Sequence, residues 1–460
     1  MTAVLTGGSS DVVNPATEQV EATVALASLA ETDQAIERAH AAFSSWRQVN
    51  PADRARLLRR FADLVEANLE QLAQLEVRNC GHTISNARWE AGNVRDVLTY
   101  YAGAPERLIG KQIPVAGGLD VTFAEPLGVV GIIVPWNFPM PIAAWGFAPA
   151  LAAGNTVVLK PAELTPLTAI RLGELALEAG IPADVFTVLP GRGPVVGQRF
   201  VTHPAVGKIC FTGSTEVGQQ IMRGAADQLK RITLELGGKS ANLIFADADL
   251  ERAAASVPSS VFDNAGQDCC ARSRILVQAE VLDRFLELLQ TAVQAVRVCD
   301  PNSPDAEMGP LSSGHQRSVV SSYVEGDSVD VAFRGSAPDG PGFWYPPTVV
   351  LAGSTADRVW REEVFGPVVS VMAFTDEADA IAKANDTRYG LSGSIWTRSL
   401  GRALRVSRGV EAGNLSVNSH SSVRYSTPFG GFKQSGIGRE LGPDALAAFT
   451  ETKNVFFSDD

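Results

Sequence analysis

Residues 128–134 read GVVGIIV, an apolar run of glycines, valines and isoleucines that no polar residue interrupts. A strand with one solvent-facing side alternates polar and apolar residues. A continuous apolar run is instead typical of a strand that is buried on both faces, as in a parallel sheet. The run therefore predicts a central strand of an α/β fold.

Other apolar runs of this kind alternate with helical patterns, which indicates βαβ units and parallel sheets. The first set has predicted strands at 156–159, 185–189, 208–211, 232–236 and 242–245, with the clearest helix at 164–179. The second set has predicted strands at 274–277, 368–374, 392–396 and 414–418, with helices at 281–298 and 377–385. We therefore expect two α/β lobes.

The segments before and within the first lobe have other patterns. Residues 32–46 show helical spacing of apolar residues, and Asn50-Pro51 predicts the start of a second helix, which we expect to run to Cys80. Residues 113–125 read as a hairpin with its turn at two glycines, and they fit neither alternating set. This hairpin is a candidate arm.

Composition limits the class of protein. A chain of 460 residues predicts about two to four domains at roughly 100–200 residues each. Its 45% hydrophobic and 20% charged residues are ordinary for a globular protein. The net charge of −12 argues against binding to nucleic acid or to anionic membranes.

Cysteine and histidine usage predicts the compartment and argues against a metal. The five cysteines form no CxxC pair, which favours a reducing compartment over a disulfide framework. With no signal-peptide pattern and no apolar run of about 18–20 residues, we expect a cytoplasmic protein that does not span a membrane. The five histidines form no HxxxH or HExxH pattern, so we expect no metal site.

The segment FDNAGQDCCARSR at 262–274 holds two adjacent cysteines, Cys269 and Cys270. Free cysteines are often buried core residues, and a nucleophilic cysteine needs a partner acid or base. Glu235 is a candidate partner, because it ends an apolar run and precedes two glycines. It is either a solvated strand-end residue or a buried base with a raised pKa, and from spacing both interpretations stay open.

Three loops that follow predicted strands hold candidate ligand contacts, since ligands of open α/β sheets bind at the carboxyl ends of the strands. Asn137 in PWNFP could donate its amide to an oxyanion, and Lys160 and Glu163 in KPAE could contact ribose hydroxyls. Gly213 in FTGSTEVG precedes a predicted helix whose N–H groups could bind a pyrophosphate. Each loop taken singly is also an ordinary turn.

Taken together and in order, the motifs resemble those of the aldehyde dehydrogenase superfamily. The resemblance covers nearly the whole chain, from NPATE at 14–18 to ETKNV at 451–455. Its motifs are PWNFP, KPAE, FTGSTEVG, LELGGKS, NAGQDCCA, EEVFGP and PFGGFKQSGIGRE.

The resemblance implies an α/β fold with three parts. A Rossmann-like coenzyme-binding domain would comprise residues 1–107 and 127–236, and an α/β catalytic domain would comprise residues 237–449. A small β oligomerisation arm would comprise residues 108–126 and 450–460. A homodimer or homotetramer is implied as well.

The resemblance also implies a reaction, the NAD-dependent oxidation of an aldehyde to a carboxylate. Cys269, two residues after the glutamine of its motif, would be the nucleophile, and the Asn137 amide would hold the oxyanion. Glu235 would activate the water that releases the carboxylate. Catalysis would pass through a thiohemiacetal and a thioester on the cysteine.

Motif matching further implies the cofactor and channel residues. Glu163 would repel the 2′-phosphate of NADP, so NAD is expected to be preferred, although the Lys160 charge nearby could partly offset this repulsion. The implied cofactor contacts are Pro135, Trp136, Lys160, Glu163, Gly213, Ser214, Gly218, Glu363 and Phe365. The implied walls of the substrate channel are Trp145 and Phe429.

Two departures from the family pattern bear on the substrate. Asp268 stands where relatives often have a neutral residue; it would either raise the pKa of Cys269 or face the channel and favour cationic aldehydes. Residues 419–427 are polar, and His420, Arg424 and Tyr425 would either contact a polar or anionic tail or face solvent. The sequence does not identify the aldehyde.

The residues present disfavour three other functions. Relatives that pass the acyl group to coenzyme A generally lack the hydrolytic glutamate, so Glu235 favours hydrolysis. A non-enzymatic protein would be free to lose Cys269 or Asn137, and both are present. A hydrolase of the papain type needs a histidine base, and no histidine forms a pattern with Cys269.

Overall fold

A computed structural model describes residues 7–325, 329–421 and 423–459 of the chain. The strands are β1 Gly8–Val13, β2 Val20–Leu26, β3 Gln112–Ile113, β4 Gly118–Pro126, β5 Val129–Ile133, β6 Thr156–Lys160, β7 Phe186–Val188, β8 Val206–Thr212, β9 Arg231–Glu235, β10 Ala241–Ile244, β11 Arg274–Gln278, β12 Asp330–Arg334, β13 Thr348–Leu351, β14 Val368–Phe374, β15 Ser392–Trp396, β16 Asn414–Val417, β17 Gly436–Ile437 and β18 Thr450–Ser458. The α-helices are α1 Leu29–Trp46, α2 Pro51–Ala67, α3 Leu69–Cys80, α4 Ile84–Ala102, α5 Pro139–Ala153, α6 Leu167–Glu178, α7 Gln198–Thr202, α8 Thr215–Ala226, α9 Leu250–Ala255, α10 Leu282–Gln294, α11 Gly314–Val324, α12 Arg358–Arg361, α13 Glu377–Asn385 and α14 Leu400–Gly409.

The first lobe is built on a six-stranded sheet with the order β17-β9-β8-β5-β6-β7. Strand β5 lies inside this sheet, parallel to β6 and β8, and all five of its residues are buried. This confirms the prediction from the apolar run at 128–134. The carboxyl ends of β5, β8 and β9 lie side by side, so the loops that follow them meet at one edge.

The second lobe is built on a seven-stranded sheet with the order β12-β13-β14-β11-β10-β15-β16. Its strands are parallel except for β12, which runs antiparallel to β13. The prediction that 242–245 belongs to the first set was wrong, because β10 pairs with β11 and β15. The edge of β9 that it would have joined is instead occupied by β17, a strand from near the end of the chain.

The hairpin predicted at 113–125 is confirmed, and it belongs to a third sheet. Strand β4 pairs with the short β3 and, over nine residue pairs from Thr450↔Pro126 to Ser458↔Gly118, with β18. This three-stranded sheet joins the hairpin to the C-terminal segment. The division of the chain into the three predicted domains stays a prediction.

The single helix expected from residue 51 to Cys80 is wrong, because the chain breaks at Asn68. The predicted start is confirmed: the Asn50 side chain accepts the Ala52 N–H at 2.9 Å. At the break, the Asn68 side-chain amide donates to the Leu64 carbonyl at 2.8 Å. The Asn68 backbone N–H donates to the same carbonyl at 3.1 Å, so α2 ends before Asn68 and α3 begins at Leu69.

Helix α5 follows β5 directly and is buried at every residue. It brings apolar side chains to the edge of the first sheet where the strand-end loops meet. None of the helices in the described ranges is long and apolar enough to cross a membrane.

Candidate active site

Two cavities meet at Cys269, which together with Thr212 lines both of them. The first has a volume of about 300 Å³ and is called here the acidic cavity; the carboxyl-bearing residues among its lining are Glu90, Glu235, Asp263 and Asp268. The second, of about 260 Å³, is called here the strand-end cavity, because the loops after β5, β8 and β9 form part of its wall. A group attached to the Cys269 sulfur can therefore be reached from both sides.

The loop before Cys269 has an unusual backbone. Asn264, Ala265 and Gly266 have consecutive positive φ angles of 49°, 52° and 70°. Only glycine tolerates such a conformation without strain, and strained residues of other types are typical of functional sites. A Cβ on Gly266 would lie 2.1 Å from the Gly366 carbonyl oxygen, so a side chain cannot be placed there.

Gln267 fixes this loop although sequence reasoning gave it no role. Its amide nitrogen donates to the Asn264 carbonyl at 3.0 Å, and its side-chain oxygen accepts the Ser312 N–H at 2.8 Å. Gln267 is almost fully buried, so both bonds are shielded from water. The rigid loop sets the position of the Cys269 backbone and sulfur. The only signal in the sequence was the position of the glutamine beside a glycine.

The Cys269 thiol is hard to ionise in this environment. Its hydrogen bond with the Cys270 thiol, burial, and the nearby carboxyl groups of Asp268 and Glu363 raise the pKa of Cys269 well above its usual range. The ligand atoms of Asp268, Cys269 and Cys270 lie within 4.8 Å of one another. The resting sulfur is therefore a thiol, and it needs a base to become a nucleophile.

Glu235 supplies a candidate base in the acidic cavity. It is the last residue of β9 and is 3% exposed, so the interpretation as a solvated strand-end residue is wrong. Neither of its carboxylate oxygens has a hydrogen-bond partner among the described residues. Burial, and secondarily the charge of Glu440, raise the pKa of Glu235 well above its usual range. A desolvated carboxylate of this kind binds protons strongly, as a general base must.

Asn137 lies in the loop after β5, on the wall of the strand-end cavity, and is buried. Its side-chain nitrogen donates to the Gln267 carbonyl at 2.8 Å, and its own carbonyl accepts the Asn264 side-chain amide at 2.8 Å. An amide nitrogen carries two hydrogens, so one remains to donate to an oxyanion. The sequence segments around 137, 235 and 269 are thus brought to one place.

Six of the nine sequence-predicted cofactor residues line the strand-end cavity. Glu363 accepts the Gly238 N–H at 2.8 Å, and burial raises its pKa to about 7. The rings of Phe365 and Trp136 pack edge to face with centroids 5.3 Å apart. The six residues are Pro135, Trp136, Gly213, Ser214, Glu363 and Phe365.

The other three predicted cofactor residues lie outside that wall. Lys160 ends β6, donates to the Pro161 carbonyl at 2.8 Å, and has its pKa lowered to about 8 by burial, against the opposing effect of Glu163. Gly218 lies inside α8, where a Cβ would lie 2.6 Å from the Leu236 side chain. The small size of Gly218 therefore allows α8 to pack closely on the segment after β9.

Trp145 and Phe429, the predicted channel walls, both line the acidic cavity. Their rings pack at 62° with centroids 5.3 Å apart. The Trp145 indole N–H donates to the Asn93 side chain on α4 at 3.1 Å, which fixes the ring. The two rings give the cavity an apolar side.

Two carboxyl groups in the same cavity were missed by sequence reasoning, Glu90 on α4 and Asp263 in the loop before Cys269. Glu90 is fully buried, and the distance between its Oε1 and the Nδ1 of His82 is 2.5 Å. Asp263 accepts a hydrogen bond from the Asn86 side chain. Both residues lie in polar stretches of sequence, where no periodicity distinguishes them from surface residues.

The polar segment predicted at the substrate mouth contributes less to the acidic cavity. His420 holds the Arg272 guanidinium through its carbonyl at 2.7 Å, and Tyr425 packs on Tyr100 with centroids 5.6 Å apart. Arg424 and Tyr425 lie near the outside of α4. One residue of the segment, Ser422, lies outside the described residues.

Comparisons with known proteins give a consistent result. A family model described as the aldehyde dehydrogenase family matches residues 5–455. The chain is 43% identical over 461 residues to the mitochondrial aldehyde dehydrogenase of Leishmania tarentolae, covering 99% of this chain and 92% of that protein. It is 40% identical over 457 residues to an aldehyde dehydrogenase of Emericella nidulans, covering 98% and 92%. Among solved structures, betaine aldehyde dehydrogenase from Staphylococcus aureus in complex with NAD⁺ superposes with a TM-score of 0.95 at 37% identity, covering 98% and 91%.

Proposed function

The chain belongs to the aldehyde dehydrogenase family, and from this premise we propose that it oxidises an aldehyde to the carboxylate with NAD, using Cys269 as nucleophile. The observation that carries the proposal is the position of Cys269 between two cavities. One cavity offers a desolvated carboxylate, and the other has the walls expected for a dinucleotide. The reacting carbon would thus lie between a base and a hydride acceptor.

The strand-end cavity fits the nicotinamide end of the dinucleotide. Helix α8 begins beside it, with Ser214 as its N-cap, and helix N-termini favour bound phosphate. The Glu363 carboxylate is held by the Gly238 N–H, which leaves oxygen lone pairs for a ribose hydroxyl. When bound, NAD supplies the hydride acceptor, a role that no amino-acid side chain can fill.

Covalent capture starts at the Cys269 thiol. The thiol proton is lost to water, the sulfur forms a bond to the aldehyde carbon, and the carbonyl electron pair moves to oxygen. The free N–H of the Asn137 amide and the Cys269 N–H hold this oxyanion. Loss of hydride from the same carbon restores the carbonyl and leaves a thioester on Cys269.

Hydrolysis uses Glu235. The carboxylate takes a proton from water, and the resulting hydroxide attacks the thioester carbon from the acidic cavity. The C–S bond breaks, the carboxylate product leaves, the electron pair returns to the Cys269 sulfur, and the proton on Glu235 is released to water. The raised pKa of Glu235 suits it to accept this proton.

A panel of aliphatic, aromatic, ω-amino and ω-carboxy aldehydes tests the proposal, with NADH and carboxylate measured together. We expect at least one aldehyde to give both products in equal amounts. Cys269→Ser should abolish turnover, because a serine hydroxyl is a much weaker nucleophile at neutral pH. If no aldehyde gives NADH, or if Cys269→Ser retains activity, the proposal is wrong.

Transfer of the acyl group to coenzyme A is the second candidate, and Glu235 disfavours it. A buried carboxylate whose oxygens have no partner among the described residues has no structural use, whereas it suits the activation of water. Initial rates with and without coenzyme A discriminate the two activities. A strict requirement for coenzyme A would overturn the hydrolytic assignment.

The preference for NAD is proposed on the charge of Glu163. Its carboxylate lies close enough to Lys160 to influence that residue's pKa. In the family arrangement it would face the 2′ position of the adenosine ribose, where it would repel the phosphate of NADP. The ratio of kcat/KM for the two cofactors tests this proposal, and a clear preference for NADP would contradict it.

A homodimer or homotetramer and a cytoplasmic location are also proposed. The three-stranded sheet exposes Leu119, Phe123 and Phe457, which supports burial against a second copy. Sparse free cysteines favour a reducing compartment. One of the relatives is named as mitochondrial, so localisation of a tagged protein is the direct test.

A further inference from the structure

Arg272 follows the proposed nucleophile by three residues, and it is buried, with only 2% of its surface exposed. Its guanidinium donates hydrogen bonds to three separate segments of the chain. Nη1 donates to the Cys270 carbonyl, Nε donates to the Ser394 Oγ on β15 at 3.0 Å, and Nη2 donates to the His420 carbonyl at 2.7 Å. One guanidinium therefore joins the loop of Cys269, the second sheet and the polar segment at 419–427.

These contacts fix the turn that carries Cys269. The Cys270 N–H donates to the Asp268 carboxylate at 2.8 Å, and the Cys270 carbonyl accepts from Arg272. The Arg272 N–H donates to the Ser260 carbonyl at 2.9 Å, so the arginine is itself anchored. The residue after Cys269 is thus held through both its N–H and its carbonyl. The position of the Cys269 N–H, a proposed donor to the oxyanion, depends on this turn.

The groups around the Cys269 sulfur oppose its ionisation. The hydrogen bond with Cys270, burial, and the charges of Asp268 and Glu363 raise the pKa of the Cys269 thiol well above its usual range. The other carboxyl-bearing residues that line a cavity together with Cys269 are Glu90, Glu235 and Asp263. A thiolate formed among buried acids is unfavourable unless a positive charge stabilises it.

Arg272 supplies a positive charge to this environment, because an arginine stays protonated in proteins. Burial lowers the pKa of Arg272, and the charges of Cys270, Asp268 and Cys269 oppose that effect. The interaction is mutual, so the guanidinium favours the anionic forms of the same three groups. The nearby His420 imidazole adds no second charge at neutral pH, because burial, and secondarily Arg272, lower its pKa.

The contacts of Arg272 are suited to positioning, since its guanidinium is bonded to the loop of the nucleophile. We propose that its three hydrogen bonds hold the turn of Cys269 in the reactive geometry and that its charge stabilises the thiolate that attacks the aldehyde. This inference rests on the proposed function, because it takes Cys269 as the nucleophile. The sulfur forms the bond to the aldehyde carbon, so Arg272 is a positioning residue that acts through Cys269.

The variant Arg272→Gln tests the charge. It removes the positive charge and keeps a side-chain amide as hydrogen-bond donor. We expect the rate of alkylation of Cys269 by iodoacetamide at neutral pH to fall by about tenfold, because the thiolate loses its cation. The pH profile of the rate should move to higher pH, and tandem mass spectrometry assigns the alkyl group to Cys269 and not to Cys270. A profile equal to that of the wild type would overturn the role of the charge.

The variant Arg272→Lys tests the geometry. Lysine keeps a positive charge, but an ammonium group cannot reproduce the planar fork of three hydrogen bonds. The alkylation profile of Cys269 should therefore stay near that of the wild type. The single-turnover rate of NADH formation should fall by about tenfold, because the oxyanion donors and the sulfur are no longer held in place. A wild-type single-turnover rate in this variant would overturn the positioning role.

Arg274 offers a matched control two residues further along the chain. It is similarly buried, and it donates to the Lys383 and Ala384 carbonyls at 3.0 and 2.7 Å in the last turn of α13. Arg274→Gln removes an equal buried charge and should leave the alkylation profile of Cys269 unchanged, even where it lowers the melting temperature. Equal shifts of the profile in Arg272→Gln and Arg274→Gln would reveal a general effect of lost stability and would overturn the inference.

The lysine variant keeps the test valid if Arg272→Gln fails to fold, because lysine preserves a positive charge at the buried position. In that case a lowered single-turnover rate with an unchanged alkylation profile supports the inference. Wild-type values of both measurements would overturn it.

The alkylation experiment needs no aldehyde, which separates this inference from the proposed function. If the wild type oxidises an aldehyde in a Cys269-dependent reaction and the variants of Arg272 behave like it, the role of Arg272 is wrong and the dehydrogenase assignment stands. If no aldehyde is oxidised, the proposed function fails, and the alkylation profiles still decide whether Arg272 stabilises the Cys269 thiolate.

Discussion

At the scale of single residues, Asp268 affects the acidity of the nucleophile. Its carboxyl group lies beside the Cys269 sulfur and contributes to the raised thiol pKa. Removing the charge in Asp268→Asn should therefore lower the pKa of Cys269. The asparagine oxygen can still accept the Cys270 N–H, so the loop geometry is kept. The pH profile of iodoacetamide alkylation measures the pKa of the thiol. An unchanged profile would show that the charge of Asp268 does not affect this pKa.

Glu235→Gln should separate the two chemical stages. Glutamine cannot take a proton from water, so the thioester should form and then persist. We expect a burst of NADH that approaches one per active site, followed by a steady rate about 10²–10⁴-fold below that of the wild type. Rapid-mixing absorbance measures both phases. A steady rate close to that of the wild type would assign the activation of water to another group.

The sequence predicted some site residues better than others, for physical reasons. Sequence motifs identified three of the site residues, Cys269, Glu235 and Asn137. The order of these motifs along the chain matches that of the family, so each residue could be assigned a role. Asp263 and Gln267 work through side chains that meet distant partners, such as the amide of Asn86 on α4. A polar residue in a polar loop gives the same pattern whether it faces solvent or a cavity, so their contributions became visible only in three dimensions.

At the scale of elements, Arg274 joins two parts of the second lobe. It starts β11, is 1% exposed, and donates to the Lys239 carbonyl at 2.8 Å. It also donates to the Lys383 and Ala384 carbonyls at 3.0 and 2.7 Å, in the last turn of α13. These helix-end carbonyls have no partner within α13 itself. One guanidinium therefore fixes the end of α13 to the start of β11.

Arg274→Met should destabilise the protein while leaving the surface unchanged. The substitution leaves three carbonyl groups without their donor, at a cost of about 2–4 kcal/mol in the free energy of unfolding. A lower melting temperature in a thermal scan measures the effect. The control is Arg284→Met on α10, where the arginine makes only exposed ion pairs and its loss should leave the melting temperature nearly unchanged. Equal melting temperatures for the two variants would contradict this role.

Sequence patterns missed helix α5 and the break at Asn68, because neither changes the apolar periodicity in a way that marks it. Helix α5 is buried on every side and contains Pro141 and Pro149, so it lacks the polar face that produces a helical period. The break at Asn68 leaves the apolar spacing of α2 and α3 in phase, because few residues separate the two helices. Strand β5 was predictable, because a continuous apolar run has few other interpretations.

At the scale of the whole molecule, the three-stranded sheet of β3, β4 and β18 presents an apolar face. Leu119 and Phe457 lie opposite each other in register, and Phe123 lies four residue pairs further along β4 on the same face. Their exposed fractions of 46%, 51% and 47% are high for such side chains. The double variant Phe123→Asp/Phe457→Asp should therefore dissociate the proposed oligomer, as measured by light scattering after gel filtration.

A control on the other face of β4 tests whether the effect depends on the apolar face and not on any added charge. Thr122 lies between the exposed positions in sequence and points to the opposite side of the sheet. Thr122→Asp should leave the oligomer intact. A wild-type protein that is monomeric at micromolar concentration, or a double variant that keeps its mass, would contradict burial of the Leu119 face.

Strand β17 has a consequence for biosynthesis. Gly436 pairs with Glu235 in the six-stranded sheet, and the neighbouring Ser435 carbonyl accepts the Leu236 N–H at 2.9 Å. The strand that carries the base is thus completed by a segment about two hundred residues later. A ribosome adding roughly 5–20 residues per second needs at least about ten seconds to make that segment. During this interval the edge of β9 has no partner strand, so the active site cannot be complete until residues 435–437 have been made.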